Sequence, residues 1–199
     1  MTDRTLPEQE KHLFDVLSSD RFLRMEGLGN EVPFFIQWYP PNWARGMDDA
    51  RKRVSNRLSA RGITVREINL YDLSIDLLKD RGVWEQVLAV EPDLGKDEFR
   101  ELLQGMLDPQ DYLAPAVGER IADDGFDILF LTGIGEVFPY IRSHNVLNNL
   151  PSIVVGKPML MFFPGKYAQS EALGSSLVLF GLLQDDQYYR AKDIQEQEA

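Results

Sequence analysis

The sequence predicts an α/β fold: a mostly parallel, open sheet of four to five strands with helices on both faces, in a Rossmann-like or P-loop-like order that lacks a Walker motif. Three observations predict it. "VPFFIQWY" (32–39), "FDILFLTG" (126–133) and the apolar stretch Leu160–Phe163 inside "KPMLMFFPG" are short continuous runs, as in strands buried on both faces. Segments with apolar residues at three- and four-residue spacing lie between them, so strands and helices alternate along the chain. Cysteine is absent from the 199 residues, which leaves a hydrophobic core to hold the fold, without disulfides or thiolate metal sites.

The elements follow in order. In "QEKHLFDVLSSDRFL", Leu13, Val16, Leu17 and Phe22 have near-helical spacing. Residues 1–31 therefore read as an N-terminal helix and a Gly-rich loop around Gly27 and Gly29. The strand at 32–39 is stopped by Pro40-Pro41. "GMDDARKRVSNRLSARG" reads as a helix, with Met47, Ala50, Val54, Leu58 and Arg61 on one stripe, Asp48 and Asp49 near its positive end and Gly62 as its close. Ile63–Leu70 is β-branched and partly alternating, a second strand. Residues 73–90, 97–107 and 111–123 read as helices, separated by Pro92, Pro109 and Gly125. "SSLVLFGLL" (175–183) supplies a fifth strand. Residues 190–199 are polar and acidic and are expected to fray. The whole chain, 1–199, reads as one domain.

Composition narrows the function. The net charge is −11, so the surface repels phosphate polyanions on average, and no direct nucleic-acid contact is expected without a local basic patch. The charged N-terminus has no apolar signal region, and no run reaches the roughly 18 apolar residues of a membrane span. A cytoplasmic protein without a membrane partner is the expectation. Gly156-Lys157 and Gly165-Lys166 lack the glycine five residues earlier and the following Ser or Thr of a P-loop. "TGIGEVF" supplies G-x-G, but Phe138 stands where the third Rossmann glycine belongs. No lysine follows an acid by two places, and no G-x-S-x-G elbow exists. The only histidines are His12 and His144, too few for a nitrogen or sulfur metal cluster. No catalytic residue, metal site or cofactor is expected.

The polar residues of "LTGIGEVFPYIRSHNVLNNL" (131–150) exceed what a core helix needs. Read as a helix from Val137, it has an apolar sector containing Tyr140, Ile141 and Leu147, with His144 and Asn148 in its middle, one turn apart. These two either bond each other to lock the helix or hold a ligand. The strand ends where ligands gather in such sheets are Trp38–Pro41, Thr132–Glu136 and Pro164–Tyr167. A ligand crevice would draw on Thr132, Gly133, Glu136, His144, Asn148 and Lys166. A second stripe holds Phe138, Arg142, Asn145 and Asn149, which suit a protein-docking surface, as do Tyr188, Tyr189 and Arg190 near the C-terminus. Arg53, Arg57 and Arg61 form an i, i+4 basic ridge, read first as a solvated face that balances an acidic body and otherwise as a contact for a partner's acidic patch or a nucleic-acid backbone.

Together, "INLYDL", "LFLTGIGEVFPYIRSHNVLNNL", "PMLMFFPGKY" and "LFG...DDQYYRA" resemble the BrxB family, small proteins of bacteriophage exclusion (BREX) systems. The likeness runs from about Val32 to Ile194 and lies in the order and spacing of the blocks. It implies a component of a phage-defence system and carries over no catalytic residue. The expected role is a non-catalytic adaptor binding another BREX protein, above all the alkaline-phosphatase-like PglZ, with the DNA methyltransferase PglX and the ATPase BrxC as other partners. The alternative is a degenerate nucleotide- or metal-binding regulatory domain that uses the strand ends at Thr132–Glu136 and Pro164–Tyr167.

Overall fold

A computed structural model of the chain describes residues 4–26, 33–170, 174–185 and 191–199. Its sheet is built on five parallel strands: β1 (Phe34–Tyr39), β2 (Val65–Asn69), β3 (Ile128–Thr132), β4 (Met159–Ser170) and, at the far edge, the short Lys192–Asp193. Their order is β2-β3-β4-β1 and then the C-terminal strand. The excursion from β1 to β2 skips two positions that β3 and β4 later fill, so β1 and β2 never touch. That separates the sheet from a Rossmann domain, in which the first two strands are neighbours.

Alternation assigns each strand's side chains to two cores. From β3, Ile128 and Phe130 join one and Leu129 and Leu131 the other, and all are fully buried. Helices cover both faces, so no position on this strand needs to be polar. The smaller layer consists of α1 (Leu6–Leu17), the single turn α2 (Asp20–Leu23) and α3 (Ala44–Ser59). Leu13, Val16 and Leu17 of α1 pack against Ala50, Val54 and Leu58 of α3. Thr5 opens α1, with its N–H bonded to Glu8 Oε2 at 2.7 Å, half of a capping box.

The larger layer contains α4 (Leu70–Asp80), α5 (Trp84–Val90), α6 (Lys96–Met106), α7 (Ala114–Ile121) and α8 (Ser143–Asn149). The expected helix over 73–90 is two helices. Gly82 takes a left-handed φ of 67° and closes α4, and Val83 redirects the chain. Leu70, expected at a strand end, begins α4 because Asn69 Oδ1 accepts from the Tyr71 N–H at 2.8 Å. The expected helix over 111–123 starts as a widened turn at Pro109–Leu113 and becomes regular only at Ala114.

Two further expectations are corrected. β4 does not end at Pro164. It runs on to Ser170 and pairs antiparallel with β5 (Gly174–Leu179), which turns into β6 (Leu183–Asp185). "SSLVLFGLL" is thus a hairpin built on the end of β4, and it does not add a fifth strand to the parallel sheet. Gly165 permits the close approach, since a Cβ there would lie 2.2 Å from the Val178 carbonyl oxygen. The C-terminal segment does not fray from Ala191 on. Lys192–Asp193, β7, pairs with Phe35–Ile36 of β1, and Ile194 is fully buried. Trp38 Nε1 donates to Asp193 at 2.8 Å and Arg4 donates to the Gln195 carbonyl at 2.6 Å. One buried isoleucine and these bonds anchor a segment that its polar composition marked as loose. Gly27 and Gly29, assigned to a loop, lie outside the described residues.

Candidate functional site

Residues 133–142 connect β3 to α8, and they are not helical. Pro139 has no N–H to give a helix, and it disfavours the helical region for Phe138. The segment folds instead into successive turns, with the Val137 N–H bonded to the Gly133 carbonyl at 3.2 Å and the Ile141 N–H to that of Val137 at 3.0 Å. The helix begins only at Ser143. Its phase is therefore set by Ser143, Val146, Leu147 and Leu150, which are buried. The inward placement of His144 and Asn148 is overturned: Asn148 is exposed and His144 half-buried. Asn145 and Asn149 are half-buried on α8, and Asn149 Nδ2 donates to the Asn145 carbonyl at 2.8 Å.

This turn forms a wall between two concave sites. The first is an apolar groove of about 280 Å3 between the turn and the β5–β6 hairpin. Ile134, Phe138 and Ile141 line one side and Leu177, Leu179 and Leu183 the other, with Arg142 among them. The hairpin tip is more exposed than apolar residues usually are: Leu182 is 84% exposed and Leu183 42%. Phe180 holds a left-handed φ of 55°, uncommon for a bulky residue and worth roughly 1 kcal/mol or more of backbone strain. Contact with the turn holds it there, since a Cβ at Gly135 would lie 2.8 Å from Pro164 and 3.0 Å from the Phe180 ring. Arg142 is exposed and donates to none of the described residues.

The second site is a polar crevice of about 350 Å3 outside the carboxyl ends of β1, β2 and β3. Tyr39, Arg45, Asp48, Arg51, Thr132 and Glu136 line it, with Asn69 and Gly133 at the back. The Arg51 side chain is only 9% exposed and bonds Asp48 and Glu67. Thr132 Oγ1 donates to Glu67 at 3.2 Å, and Lys52 donates to Asp48 at 2.7 Å. The bonds from Lys52 and Arg51 hold the Asp48 carboxyl below its ordinary pKa. Burial, and then the negative charge of Glu136, push the Tyr39 hydroxyl up to about 12. Gly133 adopts a φ of 78°, and a Cβ there would meet Asn69 Oδ1 at 2.3 Å, so the glycine clears room for the cap of α4.

The crevice thus unites three of the residues marked as ligand candidates, Thr132, Gly133 and Glu136. It excludes the others: His144 and Asn148 are on α8, and Lys166 is exposed on the antiparallel part of β4, opposite Val178. Of the docking candidates, Phe138 and Arg142 meet in the apolar groove. Tyr188, Tyr189 and Arg190 lie outside the described residues. Sequence reading missed the hairpin half of the groove, although "LFGLL" carries a signal: a turn glycine flanked by apolar residues places them at a tip. It also missed Arg45 and Arg51 in the crevice, because they are distant in sequence from Thr132, and it placed Tyr39 at a strand end without marking it as a ligand candidate.

The basic ridge is spent inside the molecule. Arg53 grips Glu10 with two bonds, of 3.0 and 2.6 Å, and the Arg57 guanidinium lies 3.6 Å from the Phe14 ring centre. Arg61 lies 4.6 Å from the same ring and donates to Ser18 Oγ at 3.0 Å. The three arginines are exposed to solvent, as expected, and at the same time clamp α3 to α1. Among the described residues there is no cluster of three His, Asp or Glu placed to hold a metal ion, and no helix is long and apolar enough to cross a membrane.

No solved structure matches the chain significantly. Two curated proteins do. One, named BREX protein BrxB, from Bacillus cereus (strain H3081.97), is 33% identical over 94% of this chain and 96% of its own length. Another of that name, from Escherichia coli O9:H4 (strain HS), is 29% identical over 84% of this chain and 83% of its own. The family model described as BREX protein BrxB matches residues 66–194, a span that begins in β2 and ends at the buried Ile194. Strands β3 to β7, the turn and the hairpin all fall within that match, and the chain belongs to the BrxB family of BREX proteins.

Proposed function

We propose that the protein is a non-catalytic adaptor of a BREX phage-defence system and that it holds the alkaline-phosphatase-like PglZ in the groove between the 133–142 turn and the β5–β6 hairpin. The observation that carries this reading is the exposed apolar rim of that groove, with Leu182 84% exposed beside Arg142, which pairs with none of the described residues. Large apolar side chains displayed together beside an arginine fork suit a protein interface, where the apolar groups are desolvated and the fork takes a carboxylate or carbonyl. Catalysis is not supported: none of the titratable groups in the groove is a nucleophile with a base beside it.

The test replaces Arg142 with Ala and Leu182 with Ser together. Both are exposed, so the melting temperature should stay within the few degrees that correspond to about 0.5 kcal/mol. Co-purification with PglZ from a cell carrying the complete defence operon should fall below detection, and phage protection should fall with it. Retention of PglZ at wild-type yield, or loss of PglX or BrxC instead, would count against this assignment.

A further inference from the structure

The crevice at the strand ends contains more charge than its own packing uses. Arg51 is neutralised by Asp48 and Glu67, and Lys52 adds a second bond to Asp48. That network is closed. Three groups on the same wall are outside it: the exposed guanidinium of Arg45, the exposed carboxylate of Glu136 and the half-buried hydroxyl of Tyr39. None of them bonds a described residue. A cavity that only accommodated an ion-pair network would not gather a free cation, a free acceptor and a free donor around about 350 Å3 of space.

Each of the three selects a different part of a ligand. Arginine offers a planar fork that fits phosphate oxygens in pairs. Arg45 sits in the first turn of the sixteen-residue α3, which has no carboxylate there, so the helix field adds to its charge. Glu136 accepts hydrogen bonds only and repels phosphate, so it favours a ligand that turns hydroxyl groups towards it. The Tyr39 hydroxyl keeps its proton and is a standing donor. The cavity lies outside the carboxyl ends of parallel strands, where open α/β sheets hold their ligands, and its volume falls in the range of roughly 300–1,000 Å3 usual for small molecules.

We propose that this crevice binds a small phosphate monoester that also carries hydroxyl groups, the chemistry shared by nucleoside monophosphates and sugar phosphates, with the phosphate on Arg45 and the hydroxyls on Glu136. The site is separate from the adaptor groove and does not depend on that reading. Among the described residues the site has one free cation, Arg45, and no clustered metal ligands, so binding is weak and of the kind that senses a metabolite.

Calorimetry on the full chain with adenosine monophosphate, ribose 5-phosphate, inorganic phosphate and adenosine tests it. Both esters should bind, phosphate more weakly and adenosine not at all. Tighter binding of adenosine monophosphate than of ribose 5-phosphate identifies a nucleotide site, and equal binding identifies a sugar-phosphate site. Arg45→Glu should weaken both esters at least tenfold. Glu136→Gln should weaken ester binding and, with the repelling charge gone, leave inorganic phosphate bound as tightly as before or more tightly. Both residues are exposed, and thermal melting checks that the variants fold. Absence of heat with either ester at millimolar concentration, adenosine binding as well as its monophosphate, or an Arg45→Glu variant that binds like the wild type would overturn the proposal.

Discussion

The α1–α3 layer and the turn–hairpin face use the same residue types in opposite ways. In the layer, Arg53, Arg57 and Arg61 all find partners on α1, and Phe14 is 5% exposed beneath two of them. On the other face, Arg142 has no partner among the described residues, and leucines stand exposed around it. An arginine beside an aromatic is therefore not a docking signal in itself. What separates the two regions is whether another element of the same chain reaches the fork. Helix α1 lies along α3 and reaches it there, whereas the hairpin meets the turn through Phe180 and leaves the groove open.

The comparison is tested most severely at Arg51, the most enclosed arginine of the α3 side. Arg51→Ala removes the cation that Glu67 and Asp48 share, while Lys52 still holds Asp48. A loss of about 2 kcal/mol is expected, since the arginine is enclosed but its carboxylate partners keep contact with solvent. Urea denaturation reads it directly, and an unmoved midpoint would show that solvent already screens this network. Next comes the Phe14 clamp. Arg57→Ala with Arg61→Ala should cost about 1–2 kcal/mol, at roughly 0.5–1 kcal/mol for each cation–π contact at a surface. The same double variant should show no altered affinity for duplex DNA at physiological salt, because the ridge is occupied internally. Measurable DNA binding that disappears in the double variant would reverse the reading of the ridge.

The smallest effect concerns pH and again separates the layers. His12 is half-buried against the Ile194 carbonyl at 3.2 Å, and burial lowers its pKa below the ordinary 6.5. The unfolded chain then takes up the proton first as pH falls. The contribution of neutral His12 is complete above the unfolded value and is lost as pH drops through 6.5 towards the native one. Asp193 shifts in the other direction, raised by burial, so its ionisation weakens the fold as pH rises from its ordinary value through the native one. His12→Gln, followed by thermal melting across this range, should flatten the slope near and below pH 6.5. A slope as steep as the wild type's would place the loss elsewhere.

The strands were legible because burial on both faces leaves a continuous apolar run, as in Ile128–Thr132. The turn at 133–142 was misread because helical phase was extended through Pro139, and one proline resets where a helix can begin. His144 and Asn148 changed position for that reason alone. The groove was half legible: Phe138 and Arg142 are close in sequence, but their leucine partners arrive some forty residues later in a hairpin. The crevice was legible at Thr132–Glu136 and at the strand end Trp38–Pro41 that holds Tyr39, but not at Arg45 and Arg51, which join it through the sheet's crossover. The C-terminal segment was misjudged because its anchoring depends on one isoleucine and a tryptophan on another strand.

Among the described residues, strand β1 pairs with β4 and β7 alone, with Phe34 beside Met159 and Phe35 beside Lys192. During synthesis its aromatic sequence leaves the ribosome early, and both its partners come late. In the interval β2 and β3 can pair and be covered by α4–α7, while β1 waits with two open edges. Pairing between such distant segments is slow, and an unpaired apolar edge is a template for the wrong strand. The yield of soluble protein is therefore governed by how long that strand waits, and a holding chaperone or slower growth should raise it even where the finished fold is already stable.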